Sequence, residues 1–224
     1  MNVLDRIRGG LVASCQPVDL GPMDRPEIVA AMARAAVAGG AAGLRIEGVA
    51  NLRATRPHVD VPIIGIVKRD LPDSPVRITA SVRDARDLIA AGADIVAYDA
   101  TPRPRTDHRD AILAAILDGG ARAMADCATP ADGQAAQAGG AAVLGTTLSG
   151  YTQDSATGGD APDFALIAAF RDLGAFTMAE GRLNTPELAA AAMRAGADAV
   201  TVGSALTRLE VVTGWFADAV RGAR

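Results

Sequence analysis

Four phrases recur along the chain: "AAGLRI" from residue 41, "AAGADIVAYD" from 90, "QAGGAAVLGT" from 137 and "RAGADAVTVG" from 194. Each reads as a helix running out at glycine and turning into an apolar strand, the αβ junction of a repeated unit. The strands that follow are apolar throughout rather than alternating. Ile63-Ile64-Gly65-Ile66-Val67 is the clearest case, and such a run is buried on both faces, as a parallel sheet between helices requires. A chain built this way can only fold as an α/β protein.

Reading outward from these junctions gives strands over 10–17, 41–48, 61–70, 93–101, 121–129, 141–150, 175–183 and 197–207. Helices are expected over Pro26–Ala38, 49–57, 81–92, 108–118, Pro130–Ala138, Pro162–Leu173 and 185–196, with a final one ending near Ala219. Ser81 and Thr185 are placed to cap two of them, and Pro186 to start the second. The N-terminal Met1–Arg6 reads as a polar start. Eight β/α units in 224 residues suit one (β/α)8 TIM barrel of the phosphate-binding type spanning residues 1–224, since such barrels need roughly 200–250 residues. The rival, a doubly wound open sheet, has fewer strands and usually a G-x-G-x-x-G turn after the first, which is absent here.

Half the residues are hydrophobic and only 3% aromatic, so aliphatic side chains must fill the core. A net charge of −4 argues against a nucleic-acid partner, which calls for a basic surplus. No apolar run reaches the length of a membrane span and no signal peptide is visible, so a cytoplasmic location away from membranes is expected. Cys15 and Cys127 lack C-x-x-C spacing and read as core fillers, and His58 and His108 lie apart in polar stretches. Neither a metal site nor a cofactor is expected.

In a barrel, function gathers at the carboxyl ends of the strands. Those ends supply Ser14 and Gln16, Arg45 and Glu47, Lys68 and Arg69, Asp99, Asp126, Thr146-Thr147, Glu180 with Arg182, and Gly203-Ser204. A charge just past a strand often only begins a solvated loop: Arg69 and Asp70 read equally well as a rim pair, Glu47 as surface, Tyr98 as packing. Lys68, Asp126 and Glu180 at three strand ends together are harder to ascribe to solvation. Gly181 after the seventh strand and Gly203-Ser204 after the eighth form a pattern for gripping phosphate with backbone N–H groups, with Arg208 one turn further on adding charge.

These residues resemble the N-acylmannosamine-6-phosphate (N-acylglucosamine-6-phosphate) 2-epimerases over practically the whole chain. The likeness rests on "GLRIEG", "PIIGIVKRDLPDSPVRITAS", "GADIVAYDAT", "MADCATPADG", "LGTTLSGYT" and "AEGRLNTPE"; "ATPRPRTDH" and "TRLEVVTGWF" depart from the usual pattern. The resemblance implies a metal-free (β/α)8 isomerase interconverting the C2 epimers of an N-acylhexosamine 6-phosphate in sialic acid and N-acetylmannosamine catabolism. It implies that Lys68 and Glu180 carry the chemistry, and that Gln16, Arg45, Asp126 and Arg208 lie near sugar or phosphate. Thr147 and Arg182 complete the expected substrate contacts; Gly181, Gly203, Ser204 and Arg208 complete the phosphate contacts.

Moving the C2 proton requires the open-chain aldehyde, because only a neighbouring carbonyl acidifies that carbon, and the enolate formed needs a positioned donor. Lys68 is a base only when neutral, which burial or a cationic neighbour such as Arg69 or Arg45 would favour. Glu180 then moves protons at O1 or O5 to open and close the ring, while Asp126 and Arg45 hold hydroxyls and the N-acyl carbonyl. Two alternatives stay open at this level: a Schiff-base lyase or synthase using Lys68, and a non-catalytic phosphosugar-binding protein. Val211, Val212, Trp215 and Phe216 concentrate apolar bulk in the last helix, which reads either as packing on the barrel or as a contact in the expected homodimer.

Overall fold

In the computed structural model, which describes residues 2–155, 159 and 161–223, eight parallel strands close in sequence order, β1 against β8. They are β1 (Leu11–Cys15), β2 (Gly43–Glu47), β3 (Ile63–Ile66), β4 (Ile95–Asp99), β5 (Arg122–Asp126), β6 (Val143–Gly145), β7 (Phe176–Glu180) and β8 (Ala199–Val202). Each lies inside the longer run expected from the sequence. The excess forms the loops at the two ends of the barrel, and the eighth run breaks after Val202.

The helices are α1 (Val3–Ile7), α2 (Pro26–Ala38), α3 (Val49–Thr55), α4 (Val82–Ala90), α5 (Arg109–Asp118), α6 (Pro130–Ala138), α7 (Phe164–Asp172), α8 (Pro186–Arg194), α9 (Ser204–Thr207) and α10 (Leu209–Gly222). Local chemistry explains their starts. Ser81 accepts from the Asp84 N–H and Thr185 from the Leu188 N–H, as expected. Thr129 and Asp132 close a reciprocal capping box on α6. Pro26, Pro130 and Pro186 stand in first turns, where no N–H is needed.

The first residues are not merely a polar start. Asn2 caps α1, and Ile7 enters the barrel lumen with Val12, Ile64, Ile95, Val143, Phe176 and Ala199. This apolar layer stoppers the amino end, so solvent reaches the lumen from the carboxyl end. A second core lies between strands and helices, holding Leu44, Ile46, Leu52, Leu88, Tyr98, Ile116 and Phe170. Cys15 and Cys127 are buried there as small core residues, and Tyr98 packs as expected. Gly65 permits the close approach of two helices to β3: a Cβ at that position would come within 2.9 Å of Leu52 and 3.1 Å of Leu88.

β3 and β4 pair over only two register positions, Ile64 with Ile95 and Gly65 with Val96. Beyond them the chain leaves β3, turns at 70–75 and returns as an improvised strand. Lys68 bridges Ile78 in antiparallel sense, the Arg69 N–H donates to the Arg77 carbonyl (2.9 Å), and the Thr79 N–H donates to the Val67 carbonyl (2.7 Å). Ile78 in turn accepts from the Asp99 N–H of β4 (3.2 Å). The returning segment thus fills the gap between β3 and β4. Fully buried Thr79 is held at φ 44°, a conformation that a β-branched residue adopts only under compulsion.

Candidate active site

The carboxyl ends of β1, β3, β6, β7 and β8 surround a cavity of about 190 Å3. Lys68, Glu180, Gln16, Thr147, Arg182, Gly181, Gly203, Ser204 and Arg208, all expected from the sequence, line it. Ser14, Tyr151, Leu183, Asn184 and Thr201 line it as well. Arg45 and Asp126 do not reach its surface. Their side chains are 1% and 0% exposed and form its floor.

Arg45 lies within β2 with its guanidinium in the lumen. It grips Asp126 at two points, Nη1–Oδ1 at 3.2 Å and Nη2–Oδ2 at 2.6 Å, and its Nη1 lies 3.1 Å from Glu180 Oε2. The Thr147 hydroxyl sits between the same two carboxylates, 2.7 Å from Asp126 Oδ1 and 3.3 Å from Glu180 Oε2. Thr146 fixes the neighbouring backbone, its hydroxyl donating to the Glu180 carbonyl (2.8 Å) and accepting from the Glu180 N–H (3.0 Å). Burial works against the Arg45 charge, yet the Asp126 and Glu180 carboxylates more than restore it and hold its pKa above the usual arginine value. Replacing a member of such a buried set leaves uncompensated charge, so the three groups act as a unit.

Glu180 is poised near neutrality. Burial raises its pKa, Arg45 pulls the value down, and the Asp126 charge pushes it back up, leaving it at about 7. A carboxyl with that proton affinity can give and take a proton near neutrality. The Lys68 pKa is lowered, chiefly by burial and then by the Arg208 and Arg45 cations. Arg69, one of the two cations expected to act on it, faces the other way: its Nε and Nη2 bond Asp84, with Nη2–Oδ1 at 2.6 Å. Nor does Arg69 pair with Asp70, whose partner is Arg77.

Glu47 is no surface residue. Half-buried, it accepts from the Lys68 N–H (3.2 Å), and burial raises its own pKa. The signal was available in the sequence: Glu47 stands two residues after Arg45, hence on the same face of β2.

Around the upper wall, Gly181 has φ 108°, which only glycine adopts without strain. It is followed by Arg182 at φ 56°. The Arg182 guanidinium ties down the loop after β6, donating to the Ala161 (2.7 Å) and Ser149 (2.9 Å) carbonyls and lying 5.5 Å from the Tyr151 ring centroid. Gly203 precedes α9, and Arg208 donates through Nε to the Gln16 carbonyl (3.2 Å), binding the end of α9 to the loop after β1. The Gln16 amide donates to Ser14 Oγ (2.7 Å). Among the described residues no three His, Cys, Asp or Glu side chains are placed to hold a metal ion, and no helix is long and apolar enough to cross a membrane.

A closed parallel barrel, stoppered at its amino end and carrying a charged cavity at its carboxyl end, places this chain in the class of (β/α)8 barrel enzymes. Residues 29–222 match the family model NanE, described as "Putative N-acetylmannosamine-6-phosphate epimerase", and the chain belongs to that family. Relatives with the corresponding 2-epimerase description include one from Actinobacillus pleuropneumoniae serotype 5b, 59% identical over 99% of this chain and 96% of its own length. Another, from Haemophilus influenzae, is 57% identical over the same shares. The solved N-acetylmannosamine-6-phosphate 2-epimerase from Clostridium perfringens superimposes with a TM-score of 0.93 at 35% identity, covering 97% of this chain and 96% of that one. Thiamine phosphate pyrophosphorylase from Pyrococcus furiosus, with a TM-score of 0.61 at 15% identity, shares the fold.

Proposed function

We propose that this protein interconverts N-acetylmannosamine 6-phosphate and N-acetylglucosamine 6-phosphate by removing and returning the C2 proton of the ring-opened sugar. Family membership supplies the reaction. One observation carries the assignment of its machinery: a lysine with lowered pKa and a carboxyl at about 7 share one small cavity.

In this reading Glu180 passes a proton between O5 and O1 to open the ring, leaving C1 a carbonyl. Neutral Lys68 then takes the C2 proton from one face, water delivers a proton to C2 on the opposite face, and the Lys68 ammonium gives its own proton to solvent, so that the amine is neutral again. Charge building on O1 of the enolate is met by a proton from Glu180. Arg45 and Asp126, bonded to one another beneath the cavity, act through Glu180 rather than by gripping hydroxyls: Arg45 steadies its anion and Asp126 raises its proton affinity. Gly181, Gly203, Ser204 and Arg208 receive the phosphate, so that binding energy from the unreactive end holds C2 before Lys68. Gln16 and Thr147 contact the sugar, and Arg182 shapes the wall. No step calls for a metal or cofactor.

Residues 1–224 function as one barrel domain in the cytoplasm, as a homodimer. The support for self-association is α10, a helix of 14 residues none of which is buried, with Phe216 71% and Leu209 60% exposed. A second copy covering this face would remove that apolar surface from water.

The reaction is tested by incubation with N-acetylmannosamine 6-phosphate in D2O, following C2 by NMR. Formation of the gluco epimer with deuterium at C2 is the expected result. Product retaining protium at C2 would overturn the exchange mechanism, and absence of the epimer would overturn the activity.

A further inference from the structure

Among the described residues three buried side-chain polar atoms have no hydrogen-bond partner: Arg45 Nε, Thr55 Oγ1 and Thr201 Oγ1. An unpartnered buried hydroxyl loses its hydration without compensation, so one that persists calls for a reason. Thr55 is the last residue of α3, in the shell outside the barrel. Thr201 is different. It lines the active-site cavity while being only 1% exposed.

Its position on β8 is fixed by pairing. Thr201 stands opposite Glu180 of β7 on one side and Val12 of β1 on the other. Side chains in register on adjacent strands share a face. Val12 is a lumen residue and Glu180 lines the cavity, so Thr201 points into the barrel beside the proposed acid. Two residues on, the same face of the strand reaches Gly203, in the proposed phosphate grip. Thr201 thus sits between that grip and the Lys68–Glu180 pair. It is the one of the three orphan atoms that belongs to a cavity-lining side chain.

We propose that Thr201 is a substrate-contacting residue, its hydroxyl bonding the sugar-chain oxygens on C4 and C5 that lie between the phosphate and C2. The assignment rests on the epimerase reading above and adds a contact to it. A hydroxyl can both donate and accept, which suits a sugar oxygen that is a hydroxyl in the open chain and a ring ether in the closed form. Valine would fill the same volume without the bond. The cost of the lone hydroxyl falls on the ligand-free protein and is relieved when the sugar enters.

Thr201→Val, Thr201→Ser and the control Thr55→Val separate these effects. Thr201→Val should raise the melting temperature of the ligand-free protein by about 1–3 °C. It should also weaken both kcat/KM and calorimetric affinity for N-acetylglucosamine 6-phosphate by about 3- to 30-fold. Thr201→Ser should restore both, and Thr55→Val should raise the melting temperature alone. Thr201→Val with affinity and kcat/KM within twofold of wild type would overturn the contact. So would equal losses in the Val and Ser variants together with a lowered melting temperature, which would mark a packing role. Calorimetry in a Lys68→Ala background, where the sugar is bound but not turned over, reads the contact by itself. A wild type that binds the phosphosugar but does not epimerise it refutes the reaction alone, while one that does not bind it refutes both.

Discussion

Two buried ionic clusters sit at the same end of this barrel, and only one of them is built for proton transfer. Around β4, Asp99 is 1% exposed and surrounded by Arg103, Arg105 and Thr101. Arg105 Nη2 lies 3.2 Å and the Thr101 N–H 2.9 Å from the same carboxylate oxygen. Two guanidiniums face one carboxylate there, and the Arg109 guanidinium closes the turn by donating to the Ala100 carbonyl (2.6 Å). Around β2, β5 and β7 the ratio is reversed: Arg45 serves two carboxylates, Asp126 and Glu180. In the first cluster both oxygens of the single carboxylate are taken up by guanidinium contacts. In the second, burial raises the Glu180 pKa, Arg45 lowers it and the Asp126 charge raises it again, so that Glu180 holds its proton to about pH 7. The two clusters share burial and differ in their ratio of guanidiniums to carboxylates.

The sharpest way to break this comparison is at the base itself. Lys68→Ala should lower kcat at least about 1,000-fold while phosphosugar binding persists, the scale expected for a lost proton-transfer group. Near-wild-type turnover would remove Lys68 from the chemistry and with it the case for this cluster. Next come the two clusters themselves. Arg45→Met and Asp99→Asn should each destabilise by about 3–5 kcal/mol, since each strands buried charge. Only Arg45→Met should also lower kcat in the folded enzyme. Equal activity losses, measured well below both melting temperatures, would erase the distinction.

A third test uses pH. The reaction needs Lys68 neutral and Glu180 protonated, so kcat/KM should be bell-shaped with an apparent pKa near 7 from the carboxyl. Arg45 lowers the Glu180 pKa, so that pKa should move upward in Arg45→Met and stay in place in Asp99→Asn. The smallest effect concerns stability. Because the folded pKa of Lys68 is depressed, wild type loses stability as pH falls from the ordinary lysine range to that lowered pKa, and no further below it. Lys68→Met should therefore melt higher than wild type at pH 7, by about 2–6 °C, with the gap closing above pH 10. Denaturation followed across pH reads this directly.

The fold was legible because its signal is local. Apolar runs of strand length, helix-ending glycines and capping residues at 81 and 185 each report on a few neighbours in sequence. The mouth residues were legible by position alone, as polar groups at strand ends. What stayed hidden depends on partners far along the chain. Nothing near Arg45 shows that it will face Asp126, 81 residues away. Arg69 and Arg45 look equally suited to act on Lys68, and only the fold turns Arg69 toward Asp84. Glu47 and Thr201 could have been inferred from period-two spacing with Arg45 and Gly203, since alternate strand residues share a face. The polar look of residues 1–6 concealed α1, whose function depends on the single buried Ile7.

The paired excursion after β3 bears on how such a protein tolerates change. Lys68 and Arg69 pair with the returning chain, and the Thr79 N–H donates to the Val67 carbonyl just past β3, main-chain bonds that any sequence able to hold that backbone would keep. At the tip Leu71 bridges Ser74, whose hydroxyl donates to the Pro104 carbonyl (2.6 Å), and only Pro72-Asp73 stand exposed between them. Descendants of this chain are therefore free to rewrite those two residues, lengthening or recharging the turn, without disturbing the aim of the amine a few residues away.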